Sequence, residues 1–222
     1  LEETARMAVD LANGDPVKDN YCDPIDYEVS RPLAADKTVK GLYSGGSLAA
    51  EAGMLIAEAL NLGGLIKEEG YILKTGGYEV VDLGDDVYTQ GKPHPMIDPE
   101  VRIKKILECA KDPQTGVILL DCMLGYGCHP DMAGALAPAI REAQEIAKAD
   151  GRELYFVASV CGTRQDPQDY DRAVAELKEC GVLVEESNAR AIRLALKLKG
   201  IDYKENTRGH VEVAVDETPL PE

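Results

Sequence analysis

From Val39 onward the chain alternates short apolar runs with longer amphipathic stretches. The runs "VKGLY" (39–43), "YEVVDL" (78–83), 117–123, "ELYFVASV" (153–160) and "VLVEE" (182–186) have strand length and turn-forming flanks. Between them, "SLAAEAGMLIAEAL" (47–60), 101–110, 132–149, a segment ending at Glu179 and one running to about Lys199 repeat their apolar positions at helical spacing. Start signals precede four of these: Asp98-Pro99, Asp131, Asp166-Pro167 and Ser187, each a side chain able to accept from the first free amides of a helix. The Gly-rich excursion 61–78 has room for a hairpin. Five strands, each followed by a helix, predict an α/β fold: a doubly wound parallel sheet with helices on both faces.

Flanking this unit, 39–199, are two segments of different character. Residues 1–38 predict one amphipathic helix over 1–12, stopped at Asn13-Gly14-Asp15-Pro16, followed by a polar, proline-bearing arm. Residues 200–222 form a polar tail with "HVEVAV" as a candidate edge strand. The chain opens on Leu1 in mid-pattern, which suggests a piece of a longer polypeptide.

Charge changes this picture by exclusion. A formal charge of −16 repels phosphate-rich polymers, and no run of Lys or Arg overcomes it, so nucleic acid and anionic membrane are not expected partners. The six cysteines include no C-x-x-C pair and read as reduced thiols of a cytoplasmic protein. No apolar run approaches membrane-spanning length.

In a doubly wound sheet of strand order 2-1-3-4-5, ligands bind beyond the carboxyl ends of strands one and three, where the order reverses. Two glycine loops are expected there: Ser44-Gly45-Gly46-Ser47, and Leu124 to Asp131 with Gly125, Gly127, Cys128 and His129. Glycine lets the backbone approach a ligand, and helix-start amides favour an anion. His129 is the candidate catalytic residue, as general base, anion contact or phosphate carrier. Set against this, strand-to-helix turns are often glycine-rich for steric reasons alone, and a loop histidine often only caps. Cys128 would become a nucleophile only if the helix start lowered its pKa; packing is the simpler role. Cys122, Cys128 and His129 do not make a metal set, because residue 122 lies within a strand and no second ligand pair accompanies it, so no metal is expected. The stretch 82–100 places Asp85, Asp86 and His94 in a proline-restrained loop, with carboxylates suited either to Mg²⁺ or acid–base work, or simply to turn formation. Asp121, at the end of strand three, suggests a phospho-acceptor receiver, but that fold needs an acidic pair where this chain has Ser44-Gly45. The chain also lacks the Lys-bearing phosphate loop and the G-x-G-x-x-G fingerprint, so no nucleotide cofactor is expected.

At "GLYSGGSLAAEAG", "DLGDDVYTQGKPHPMIDPEVR" and "VILLDCMLGYGCHPD" the sequence resembles the carboxy-terminal part of the FdrA family, relatives of succinyl-CoA synthetase, over roughly residues 1–199. The resemblance implies a flavodoxin-like sheet of about five strands, of the succinyl-CoA synthetase CoA-ligase domain type. It implies acyl-CoA or acyl-phosphate chemistry, phosphate or a CoA-linked substrate, and association with carbamoyl transfer to oxamate in allantoin breakdown. It also implies an upstream CoA-binding domain or other subunits as partners, in a homo- or hetero-oligomer. Carried over, the anion loops are Ser44–Ser47 and Gly125–His129, and Asp98 opens the helix that faces the phosphorylated group. The chain departs from synthetase alpha subunits in having no Gly-His-Ala-Gly phosphohistidine loop.

Overall fold

In the computed structural model, described for residues 1–18, 20–63, 65–66, 68–201 and 203, a single six-stranded sheet organises the chain. Strands β1 (Thr38–Tyr43), β3 (Tyr78–Asp82), β4 (Thr115–Met123), β5 (Tyr155–Cys161) and β6 (Leu183–Glu185) are mutually parallel. Strand β2 (Tyr71–Thr75) pairs antiparallel with β3 as the hairpin expected in the Gly-rich excursion, so the order across the sheet is β2-β3-β1-β4-β5-β6. Without that edge hairpin the parallel strands run 2-1-3-4-5, and the reversal falls between β1 and β4.

The helices are α1 (Glu2–Asn13), α2 (Gly46–Leu60), the single turn α3 (Asp86–Thr89), α4 (Glu100–Lys111), α5 (Met132–Ala149), α6 (Tyr170–Glu179) and α7 (Asn188–Leu198). Helices α2 and α7 cover one face, where Val39, Tyr43, Val117, Leu119 and Val157 meet Ile56, Ile192 and Leu196. The opposite face packs Leu42, Ile118, Leu120, Phe156 and Ala158 against α4, α5 and α6 through Ile106, Leu136, Ile140 and Leu177. Alternate residues of one strand thus enter different cores, the consequence of a two-residue side-chain period in a sheet covered on both faces. Each fully buried Leu, Ile or Val adds about 1.5–3 kcal/mol of burial free energy, so the two cores hold the sheet rigid beneath the loops at its carboxyl edge.

The cap signals meet different fates. Asp131 accepts from Gly134 N and Ser187 from Arg190 N, as their positions predict. Asp98 accepts from Glu100 N at 2.9 Å, with Pro99 already in helical conformation. Asp166 instead closes a turn by accepting from Thr163 N, and α6 starts later, capped by Asp169. Asp166-Pro167 is therefore a loop feature, because the true cap lies three residues on. The arm after α1 lies along the α7 face: Tyr21 and Ile25 are buried, Lys197 Nζ donates to Ile25 O at 2.7 Å, and Leu33 N donates to Leu198 O at 2.9 Å. The candidate strand "HVEVAV" lies outside the described residues. Among the described residues no helix is long and apolar enough to cross a membrane.

Candidate functional site

Three loops meet at the reversal between β1 and β4. Asp121, fully buried near the end of β4, joins them. Both of its carboxylate oxygens lie 3.0 Å from Ser44 N, Oδ2 accepts from Ser44 Oγ at 2.9 Å, and Oδ1 accepts from Arg102 Nη2 at 2.9 Å. The same Nη2 donates to Asp121 O at 2.6 Å. Arg102 comes from α4 and is itself fully buried, so a desolvated ion pair ties the first turn after β1 to the helix after β3. Position 102 lies on the buried stripe of α4 with Ile106, Cys109 and Ala110, at helical spacing. That period was the only signal in the sequence that this arginine points inward. Asp121 also helps raise the pKa of Tyr43 well above that of an ordinary phenol, after the larger effect of burial.

Ser44 therefore spends its amide and hydroxyl within the protein, and the residues beyond it differ. Gly45 is extended (φ −134°) and α2 begins at Gly46 with no side-chain cap. A β-carbon on Gly46 would stand 2.7 Å from Asp82 Oδ2, so glycine is demanded there by close approach. The first-turn amides of α2, those of Gly46 and Ser47 with Gly45 before them, have no acceptor within the helix.

The loop after β4 is built differently. Gly125 (φ +134°) donates to Gln168 Oε1, and Gln168 Nε2 donates back to Gly125 O, both at 2.9 Å. Cys128 N donates to Gly125 O at 3.1 Å, and His129 N to Met96 O at 2.7 Å. His129 Nδ1 accepts from Asp131 N at 3.0 Å, which places the proton of the neutral ring on Nε2. Asp131 caps α5 and is held by Arg172 at 3.0 Å. Of the residues expected at this loop, Gly125, Cys128 and His129 thus have their amides engaged, while a β-carbon on Gly127 would meet nothing within 4 Å. Burial raises the Cys128 thiol pKa, with Asp166 and Cys161 adding to it, the direction opposite to that of an activated thiolate. Burial pushes the neighbouring Cys122 thiol up to about 12.

The third loop, after β3, brings a group that the sequence reading left unweighed. Asp82 Oδ1 accepts from Gly84 N at 2.9 Å, leaving Oδ2 turned to Gly46. Burial raises the Asp82 pKa, and Asp85 and Asp121 add to it, against the lowering effects of Gly84 N and His94. His94 Nδ1 accepts from Met96 N at 3.2 Å. A β-carbon built on Gly84 would lie 2.6 Å from His94 Nε2, 2.9 Å from Ser44 O and 3.1 Å from Asp82 Oδ1, so these three groups converge over one glycine. Met96 links the loops, its methyl 3.5 Å from the β-carbon position of Gly45 and its carbonyl on His129 N. Asp98 N donates to His94 O at 3.0 Å, and Asp98 borders a 420 Å³ groove with Tyr88, Lys92 and Lys104. Among the described residues, no three His, Cys, Asp or Glu side chains are grouped to hold a metal.

Residues 42–198 match the family described as CoA-ligase. This chain belongs to the CoA-ligase family. It is also similar to the uncharacterized protein YahF of Escherichia coli (strain K12), 35% identical over 184 residues, a match covering 76% of this chain and 36% of YahF. The chain therefore spans about a third of the length of that curated relative.

Proposed function

We propose that this CoA-ligase domain binds phosphate or an acyl phosphate at the first turn of α2, as part of a succinyl-CoA synthetase-like protein of FdrA type. One observation carries the reading: α2 opens on Gly45-Gly46 without a side-chain cap, at the point where the strand order reverses. By contrast Asp131, Asp169 and Ser187 cap α5, α6 and α7. Oriented amides and the helix dipole there stabilise negative charge on a transferring group without reorganising during the reaction. Such a site suits acyl-CoA ligase chemistry, or the carbamoyl transfer to oxamate that the FdrA resemblance implies. An upstream CoA-binding domain or a partner subunit would supply the remaining contacts. In this account the loop from Gly125 to His129 forms a wall of the pocket. His129 Nε2 is available as a proton donor there, and Cys128 acts by packing.

Calorimetric titration with phosphate, carbamoyl phosphate, CoA and oxamate tests this, repeated with Gly46→Val. The reading expects phosphate-containing ligands to bind and the variant to lose them. Failure of all four to bind, or retention of binding in Gly46→Val, would overturn it. A second reading, a non-catalytic assembly module, draws support from α1, which buries no residue completely and leaves Val9 and Leu11 exposed. It expects no anion binding.

A further inference from the structure

Two thiols at the carboxyl edge of the sheet stand outside the anion-site reading: Cys161, exposed at the end of β5, and the half-buried Cys128 in the loop after β4. Backbone pairing brings their segments together. Met123 and Cys161 are register partners, and Leu124 N donates to Cys161 O at 2.9 Å, so the loop starts directly beside Cys161. It then turns back on itself, Cys128 N donating to Gly125 O at 3.1 Å. Asp166 borders both thiols. Its Oδ2 accepts from Thr163 N and lies 3.0 Å from the β-carbon position of Gly162, the residue after Cys161, and its charge acts on each sulfur. Gln168 and Met96 fix the turn at Gly125 and His129. Between those points Tyr126 is 93% exposed and a β-carbon on Gly127 would meet nothing within 4 Å, so the arc bearing Cys128 has room to move towards β5. Of the other cysteines, Cys109, Cys122 and Cys180 are buried, and Cys22 lies in the arm after α1.

We propose that Cys128 and Cys161 are a redox modification site, joined by a reversible disulfide that latches the Gly125–His129 loop to the end of β5, with hydrogen peroxide as the oxidant. The exposed Cys161 thiolate attacks one peroxide oxygen, the O–O bond breaks, and the departing hydroxide takes up a proton to leave as water. Cys161 is then a sulfenic acid. Cys128 Sγ attacks that sulfur, the S–O bond breaks, and a second water leaves with the Cys128 proton. In sum the two thiols lose two hydrogens and two electrons, and one peroxide is reduced to two waters. A thiol reductant reverses the bond by exchange. Burial, Asp121 and Asp166 hold the Cys161 thiol above the ordinary range, and the same three with Cys161 do so for Cys128. Oxidation is therefore slow at neutral pH and quickens about tenfold per pH unit while the thiolate remains the minor form. This inference stands apart from the anion site and does not depend on it.

The test treats the full, folded 222-residue chain with hydrogen peroxide, blocks the remaining thiols and maps the peptides by mass spectrometry without reduction. The unmodified protein should lose two of its six cysteine thiols, yield one cross-linked peptide joining Cys128 to Cys161, stay a single chain on a non-reducing gel, and regain both thiols with dithiothreitol. In Cys128→Ser, Cys161 should stop at the sulfenic acid and be trapped by dimedone. In Cys161→Ser, Cys128 should stay reduced. Neither residue belongs to either core, so both serine variants should keep the fold, and the unmodified protein decides the matter even if one does not. The chain treated in urea should instead scatter its disulfides among several cysteines. Cys161 oxidised without joining Cys128, a bond from either residue to Cys22 or Cys122, a bond between two molecules, or two thiols left intact at millimolar peroxide would each overturn the pairing.

Discussion

The two glycine loops at the sheet reversal look alike in sequence and are opposites in structure. Ser44–Ser47 is anchored at its first residue by Asp121, and among the described residues no side chain caps the start of α2. The loop from Leu124 to Asp131 is sewn down along its length by Gln168 and Met96 and ends in a capped helix. Glycine content predicts that a backbone can approach a ligand. Whether its amides remain available depends on which side chains reach them from elsewhere in the fold.

Removing the anchor should break the comparison most severely. Asp121→Ala strands the fully buried Arg102 without its carboxylate and leaves Ser44 N without its acceptor, so it should destabilise the protein by about 3–5 kcal/mol in chemical denaturation. Next comes Gly46→Ala, whose methyl would press on Asp82 Oδ2; phosphate affinity should fall about tenfold or more in calorimetry, with the fold retained. On the other loop, Asp131→Ala removes the cap of α5 and should cost about 1 kcal/mol of stability while leaving phosphate affinity unchanged. Gly127→Ala, with open space around its new methyl, should shift stability by no more than about 0.5 kcal/mol and leave phosphate affinity unaltered.

The smallest effect is a pH dependence. The folded pKa of Asp82 lies above its unfolded value, mainly through burial, so its ionisation opposes folding: the contribution is unfavourable at neutral pH and fades as pH falls through the folded pKa towards the unfolded value of about 4. Asp82→Asn should therefore raise the melting temperature slightly at pH 7, and the difference should shrink on acidification. Paired thermal melts across that range check it.

The sheet and its reversal were legible because each parallel strand is a short apolar run bounded by turn or cap residues, and the helix period between runs is clear. The hairpin partner Tyr71–Thr75 was legible only as a region, since its alternation is masked by the glycines around it. The positions of the candidate loops were legible, but their hydrogen bonding was not. Gly45 and Gly46 lie in the turn after β1, where a glycine loop was expected, but α2 begins at Gly46, one residue earlier than the apolar period indicates. The sequence could not reveal that Ser44 faces inward to Asp121, because that bond spans 77 positions and depends on the pairing of β1 with β4. The same holds for Gln168, which lies 43 positions from Gly125 and silences that loop's amides. Asp82 escaped notice because it lies inside the apolar run 78–83 that the sequence marks as a strand, and only the packed structure brings its carboxylate against α2.

The most direct measurement is an amide-resolved NMR titration of the chain with inorganic phosphate. The account predicts saturable shifts at Gly45, Gly46 and Ser47, with the amides of Gly125, Cys128 and His129 moving little. Shifts centred on Gly125 to His129, or no saturable shift at α2, would contradict it.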